Sequence, residues 1–189
     1  MAGIRNRPRS IGRACRPVRK ALSAKARSLC LDMIAEGVAV SDPSGHIEIV
    51  LVEDNPTDAE LCLRSLKGHN LANNIIWLRD GAEALDYLFS RGAHSGRKSA
   101  GKPTLVLLDL RLPKIDGKEV LRRIKADDRL KSIPVVVLTS SREDRDINEC
   151  YNLGANSFVV KPVEFDNFAK TVASLGYYWA AINTSVQLD

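Results

Sequence analysis

The chain has 189 residues, of which 44% are hydrophobic and 27% charged, a composition that suits one globular domain with a remainder and excludes wholesale disorder. No apolar run approaches the roughly 18 residues that a membrane-spanning helix needs, which excludes membrane insertion. The four cysteines are scattered without paired spacing, so neither a disulfide framework nor a zinc site is expected.

The net charge of +5 is unevenly distributed along the chain. Residues 1–31 hold nine of the 28 lysines and arginines and none of the 23 acidic residues, so the remainder carries a charge of −4. We therefore expect a mildly acidic domain behind a basic N-terminal extension of residues 1–45. The extension could be a disordered tail, an arm for phosphate or lipid surfaces, or an organellar transit peptide. Translation could also begin at Met33.

From residue 46 onward, short apolar runs alternate with amphipathic stretches. Five apolar runs are predicted as strands: 47–52, 74–78, 104–109, 133–139 and 157–161. Five stretches between and after them are predicted as helices: 57–69, 80–90, 117–126, 141–152 and 164–182. This alternation predicts an α/β fold with a parallel sheet. One connection, residues 94–102, is rich in Gly, Ser and basic residues, and we expect it to be flexible.

Side chains with acid, hydroxyl or amine groups follow four of the predicted strands at the point where each strand ends. They are Glu53 and Asp54, then Asp109, Thr139 and Lys161. In a doubly wound sheet of order 2-1-3-4-5, ligands bind beyond the carboxyl ends of the strands, at the switch between the first and third. That order would bring all five side chains to one edge of the sheet.

The chemistry of such a set can be read from its charges. Three close carboxylates repel one another, so one must be protonated or a cation must neutralise them, and oxygen ligands suit Mg²⁺. A carboxylate can also act as a nucleophile and form an acyl phosphate. Lys161 and Thr139 would supply the positive charge and the hydrogen-bond donor that a phosphoryl group needs.

Four segments resemble the receiver domain of response regulators in two-component signalling. They are VEDNPTDAELCLRSL, LVLLDLRLPKIDGKEVLRRIK, IPVVVLTSS and NSFVVKP. The resemblance covers about residues 46–184 and leaves 185–189 as a C-terminal tail. It implies a flavodoxin-like, doubly wound (βα)5 fold, and the strand order 2-1-3-4-5 is taken from this family.

The resemblance also implies how the acidic residues act. Asp109 would be the phospho-acceptor. Glu53 and Asp54 would form the acidic pair that binds Mg²⁺ together with Asp109 and the backbone carbonyl of Arg111.

Further roles follow from the same resemblance. Thr139 would hydrogen-bond the phosphoryl group, and Lys161 would pair with it. Phe158 stands where the family has its switch aromatic, and would fill the space that Thr139 leaves on moving toward the phosphate. Lys161-Pro162 resembles the family's cis-peptide turn.

RDGAEALDYLFSRG and LGYYWAAIN are similar to stand-alone receivers that partner phytochrome-type sensor histidine kinases. The resemblance implies a cytoplasmic signalling protein that assists only its own phosphorylation and dephosphorylation. Because the chain ends at Asp189, we expect no output domain, and signalling by protein contact or onward phosphotransfer.

The last predicted helix carries a seam-like apolar stripe. Its members are spaced three or four residues apart: Phe165, Phe168, Val172, Leu175, Trp179 and Ile182. The first half of the stripe should pack on the sheet. Tyr177, Tyr178 and Trp179 are of types that favour interfaces, so we predict a homodimer involving this helix.

Two alternative functions remain. The first is an aspartate-nucleophile phosphatase of the haloacid dehalogenase type. Such an enzyme requires a second Asp, the general acid, two residues after the nucleophile, where this chain has Arg111. A nucleic-acid-binding role would rest on the basic residues 1–31 alone.

Overall fold

The computed structural model describes residues 47–68, 74–99, 101–161, 165–179 and 183. The basic extension, the domain boundaries predicted at 46 and 184, and Pro162 of the expected cis turn lie outside these residues, as do Ile182 and the side chain of Phe165. Among the helices in the described ranges, none combines the length and hydropathy needed to cross a bilayer.

Strands and helices alternate along the described chain. The strands are β1 (Glu48–Val52), β2 (Asn74–Leu78), β3 (Leu105–Leu108), β4 (Val135–Thr139) and β5 (Ser157–Val160). The helices are α1 (Pro56–Gly68), α2 (Gly81–Leu88), α3 (Gly117–Ala126), α4 (Asp144–Asn152) and α5 (Phe165–Tyr177). The strands form one parallel sheet in the order β2-β1-β3-β4-β5. The predicted fold class and strand order are therefore confirmed.

The register of the central strands brings their carboxyl ends to a common level. Val52, the last residue of β1, pairs with Leu78 of β2 and with Leu108 of β3. The amide of Asp109 then donates to the Val52 carbonyl at 3.0 Å, and the amide of Glu53 donates to the Leu78 carbonyl at 3.0 Å. The residues that follow β1 and β3 consequently lie side by side at this edge.

The sheet buries apolar side chains on both faces. In β1, Val50 and Val52 belong to the core cluster beneath α2, α3 and α4, whereas Ile49 and Leu51 belong to the cluster beneath α1 and α5. Each buried side chain of this kind stabilises the fold by about 1.5–3 kcal/mol relative to exposure. The two-sided core explains why the strands lack polar alternation. Cys62 and Cys150 are fully buried, as expected for small core residues.

The start of α3 is fixed by an aspartate cap and a close backbone approach. The side chain of Asp116 accepts a hydrogen bond from the amide of Glu119 at 3.0 Å. A Cβ on Gly117 would lie 2.1 Å from the carbonyl oxygen of Asp109, so only glycine fits there. The close approach keeps α3 against the turn that follows β3.

The connection after α2 differs from the expected flexible loop. Residues Gly92–Ser99 form a 3-10 helix. Arg97 in this helix forms an ion pair with the buried Glu48 at the start of β1, and its guanidinium lies 4.0 Å from the centre of the Tyr87 ring. The ring of His94 packs edge-on against the same tyrosine, with centroids 5.1 Å apart. These contacts order a segment whose composition alone predicts mobility.

Candidate functional site

Three carboxylates meet at the carboxyl edge of the sheet. Glu53 and Asp54 follow β1 and Asp109 follows β3, and each offers an oxygen within 4.8 Å of the other two. Glu53 and Asp109 are only 1% and 7% exposed, whereas Asp54 is exposed. The structure thus brings together the three acidic residues that the sequence singled out.

Lys161, directly after β5, reaches into the middle of this group. Its Nζ lies 2.6 Å from Oε2 of Glu53 and 2.8 Å from Oδ2 of Asp109. A third carboxylate oxygen, Oδ2 of Asp58, lies 2.9 Å from the same nitrogen. The lysine side chain is 8% exposed, so the three partners replace the water that a buried ammonium would lose.

Asp58 is a site residue that the sequence did not predict. It lies in the first turn of α1, where an acidic residue is ordinary because it complements the helix dipole. It lies four residues after Asp54, and the helix begins between the two, at Pro56. That spacing was the only available signal, and it gives no information on the reach of Lys161.

Burial and charge shift the acid–base properties of this group. Burial raises the pKa of the Glu53 carboxyl to about 7, and the nearby Asp109 acts in the same direction, while Lys161 opposes both. Burial alone would lower the pKa of Lys161, but its hydrogen bonds to Asp109 and Glu53 outweigh that effect and raise it. Lys161 therefore remains a cation, and Glu53 is close to a change of charge near neutral pH.

Backbone and indole groups orient the carboxylates. Oδ1 of Asp109 accepts hydrogen bonds from the amides of Leu110 at 2.6 Å and Arg111 at 3.3 Å. The indole Nε1 of Trp77, on β2, donates to the carbonyl oxygen of Glu53 at 2.8 Å. Trp77 reads in the sequence as an ordinary member of an apolar run, so its contact with the acidic pair was missed.

Thr139 and Phe158 lie on the neighbouring strands. Thr139 is fully buried at the end of β4, and its Oγ1 accepts a hydrogen bond from the amide of Ser141 at 3.2 Å. The Ser141 hydroxyl donates to Oδ2 of Asp146 in α4 at 2.5 Å. Phe158 is half-buried in β5 and packs against the core cluster beneath α2, α3 and α4. Its predicted switch role remains a prediction.

The donor set fits a hard divalent cation. Among the described residues, three carboxylates (Glu53, Asp58 and Asp109) contact the ammonium of Lys161, and a fourth, the exposed Asp54, lies beside Glu53 and Asp109, which leaves an excess of negative charge at this edge. Oxygen ligands of this kind bind Mg²⁺ or Mn²⁺ in preference to softer metals. The arrangement can thus hold a cation and present one carboxylate, that of Asp109, between an ammonium and backbone amides.

The response regulator receiver domain profile matches residues 49–173. Among curated proteins, the probable methanogenesis regulatory protein FilR2 of Methanothrix harundinacea is 47% identical, with 72% of this chain and 86% of that protein covered. Response regulator Rcp1 of Synechocystis sp. is 39% identical, with 74% and 94% covered.

Solved structures that are similar to this chain are also response regulators. The Mn²⁺-bound form of response regulator Rcp1 has a TM-score of 0.70 at 37% identity, and the phosphorylated cyanobacterial phytochrome response regulator RcpA has 0.70 at 38%; each comparison covers 75% of this chain and 99% of the other. The bacteriophytochrome response regulator AtBRR has a TM-score of 0.59 at 53% identity, with 74% and 99% covered.

Proposed function

The chain belongs to the response regulator receiver domain family, and from this membership we propose that it accepts a phosphoryl group from a sensor histidine kinase on Asp109. The observation that carries the proposal is the environment of the Asp109 carboxylate. Oδ2 lies 2.8 Å from the ammonium of Lys161, and Oδ1 is held by the backbone amides after β3. A phosphorylated relative, RcpA, supports the assignment.

In the proposed step, a carboxylate oxygen of Asp109 attacks the phosphorus of a phosphohistidine. The new O–P bond forms as the P–N bond breaks, and the electron pair of that bond goes to the imidazole nitrogen. Lys161 neutralises charge on the phosphoryl oxygens, and the Thr139 hydroxyl donates a hydrogen bond to them. The product is an acyl phosphate on Asp109.

Glu53, Asp54, Asp109 and the backbone carbonyl of Arg111 would hold Mg²⁺. The ion supplies positive charge that lets an anionic phosphoryl group approach a cluster of carboxylates. The oxygen-only donor set supports this assignment, as does the Mn²⁺-bound form of the relative Rcp1.

The acyl phosphate would act on the rest of the domain through Thr139. Movement of its hydroxyl toward the phosphoryl group breaks the hydrogen bond from the Ser141 amide and opens space that the Phe158 ring can fill. Phe158 has no hydroxyl, so this switch depends on packing alone. The half-buried position of the ring supports the role.

The kinase partner would be of the phytochrome type. Two structures similar to this chain, RcpA and AtBRR, are named as phytochrome and bacteriophytochrome response regulators. The protein would act in the cytoplasm as a receiver spanning residues 46–184, and signal by protein contact or onward phosphotransfer.

A homodimer involving α5 completes the proposal. Phe168, Val172 and Tyr177 are buried in the core cluster beneath α1 and α5. Tyr177 is therefore not available for an interface, although its residue type suggested one. Tyr178 and Trp179 pack edge-on at 5.1 Å just after the helix and are half-buried, so that their exposed parts could enter an interface even though Trp179 also packs against this cluster. A molar mass of one chain at every concentration in light scattering, with and without a phosphoryl mimic, would contradict the dimer.

The alternative functions gain no support. Arg111 is exposed and stands where a dehalogenase-type phosphatase needs its acid, and residues 1–31, the basis of nucleic-acid binding, lie outside the described residues. The family is one of signalling receivers.

Intact mass spectrometry after incubation with acetyl phosphate and Mg²⁺ tests the central proposal. We expect the mass of one phosphoryl group to be added to the wild type and to the control Asp128→Asn, whose carboxylate is 91% exposed. Asp109→Asn and protein treated with a chelator should remain unlabelled. Equal labelling of wild type and Asp109→Asn would reject Asp109 as the acceptor.

A further inference from the structure

Asp58 has no part in the phosphotransfer proposed above, yet its carboxylate contacts the central cation of the site. Its Oδ2 lies 2.9 Å from Nζ of Lys161. The Asp58 side chain is 32% exposed, whereas those of Lys161 and Asp109 are each 8% exposed. It therefore lies on the solvent side of the lysine, where an incoming ligand would first meet the site.

The ammonium of Lys161 has no hydrogen left for a fourth partner. It carries three N–H groups, and three carboxylates already accept from it. Before the O–P bond forms, an oxygen of the incoming phosphoryl group can gain one of these donors only if a present partner gives it up. Glu53 and Asp109 have shorter contacts, at 2.6 and 2.8 Å, and are almost fully buried. Asp58 is thus the partner that is most easily displaced.

We propose that Asp58 is a positioning residue that holds Lys161 in the unphosphorylated domain and competes with the phosphoryl group for its ammonium, which slows phosphorylation of Asp109. This inference rests on the proposed function. The competition has two physical components. A charge-assisted hydrogen bond must break before Lys161 can turn to the phosphoryl oxygen. The Asp58 carboxylate also repels an anionic phosphodonor at the entrance to the site.

The substitution Asp58→Asn removes the charge and keeps the size of the side chain. Lys161 keeps its two buried partners and should stay in the site, while the neutral amide oxygen of asparagine holds the third N–H group more weakly than the carboxylate did. The matched control is Glu60→Gln in the same helix, because this glutamate is 63% exposed, pairs with Arg64 at 2.5 Å and has no contact with Lys161 among those described. Both variants change the net charge by the same amount.

The first measurement is the rate of Asp109 labelling by acetyl phosphate with Mg²⁺, in which acetate leaves with the electron pair of the broken P–O bond. We expect Asp58→Asn to be labelled about three- to tenfold faster than the wild type, from the loss of one charge-assisted contact. Glu60→Gln should match the wild type. Asp58→Glu keeps the negative charge, so its labelling rate should be close to that of the wild type.

The second measurement needs no phosphorylation. The ammonium protons of Lys161 should exchange with water faster in unphosphorylated Asp58→Asn than in wild type or Glu60→Gln, as followed by NMR. If the exchange rate in Asp58→Asn equals that in the wild type, Asp58 does not hold the Lys161 ammonium, and the proposal is wrong. Absence of label in the wild type would reject the proposed function and this inference with it. A labelled wild type with no faster labelling of Asp58→Asn would overturn the role of Asp58 alone.

Discussion

The ammonium of Lys161 lies 2.8 Å from the Asp109 carboxylate, although the two residues follow different strands, β5 and β3, that are separated in the sheet by β4. The same ammonium contacts Glu53 beyond β1. One side chain therefore joins three strand ends at the carboxyl edge. Because the Glu53 and Asp109 side chains are at most 8% exposed, the folded domain depends on Lys161 to offset charges that solvent cannot reach.

The substitution Lys161→Met should destabilise the domain by about 3 kcal/mol at neutral pH, since it leaves buried carboxylates without their cation. Millimolar Mg²⁺ should restore part of this loss, because the ion takes over the neutralising charge. Urea unfolding with and without Mg²⁺ measures both effects. The matched control is Lys170→Met at an exposed position on α5, for which we expect little change. Equal stability of the two variants without Mg²⁺ would contradict the prediction.

The substitution Trp77→Phe should weaken Mg²⁺ binding by about three- to tenfold, in keeping with one lost hydrogen bond. Phenylalanine keeps an aromatic ring in β2 but cannot donate to the Glu53 carbonyl, which the indole holds at 2.8 Å. The backbone that carries the acidic pair then loses one of its two ties to β2. Calorimetric titration with Mg²⁺ gives the affinity. Trp179→Phe makes the same change away from the carboxylates, and an equal loss in that variant would assign the effect to general destabilisation.

Residues that end hydrophobic runs were predictable, and residues that reach across the fold were not. Glu53 and Asp109 each follow a run of buried residues and Lys161 follows a half-buried run, and the geometry of a parallel sheet aligns such ends. Asp58 and Trp77 look in the sequence like an ordinary helix-start acid and an ordinary core aromatic. Their roles depend on the length and direction of side chains from other elements, which periodicity does not encode.

The segment after α2 is a second place where the sequence pattern did not predict the structure, because it is ordered where the composition predicts flexibility. Its glycines, serines and charges predict a flexible loop. The contact that orders Gly92–Ser99 joins Arg97 to Glu48, which is 49 residues away in the chain. A local pattern carries no information on a partner at that distance.

The substitution Arg97→Ala should destabilise the domain by about 3 kcal/mol, because it leaves Glu48 buried without its cation. Arg97 and Glu48 side chains are 13% and 7% exposed, and the guanidinium also covers the Tyr87 ring. Glu48→Gln together with Arg97→Ala should cost less than the sum of the two single changes, since neither charge then remains unpaired. Urea unfolding of the four proteins gives the coupling energy. Additive losses would show that Arg97 and Glu48 contribute to the stability independently, which would contradict the prediction.

Lys125 provides a test of stability against pH at a distance from the carboxylates. Its ammonium donates to the carbonyls of Ile133 at 2.7 Å and Lys131 at 3.1 Å, and to Oδ1 of Asn156 at 3.1 Å. It thereby ties the end of α3 to the segments before β4 and β5. Burial lowers the pKa of Lys125 to about 8, whereas in the unfolded chain it should be close to the ordinary lysine value of about 10.4.

Between these two pKa values the unfolded chain binds the proton more tightly than the folded domain does, so the contribution of Lys125 to the stability must rise with pH. From about pH 7.5 to about pH 9.5 we expect the wild type to gain about 1 kcal/mol relative to Lys125→Met, after allowance for partial solvent access. Urea unfolding of both proteins at the two pH values measures the gain. Subtracting the unfolding free energy of Lys125→Met from that of the wild type removes the contributions of the other titrating groups, which both proteins contain. Lys131→Met, at an exposed lysine, should show no such gain. A difference that stays constant with pH would mean that the Lys125 ammonium is held by its three acceptors strongly enough to cancel the effect of burial.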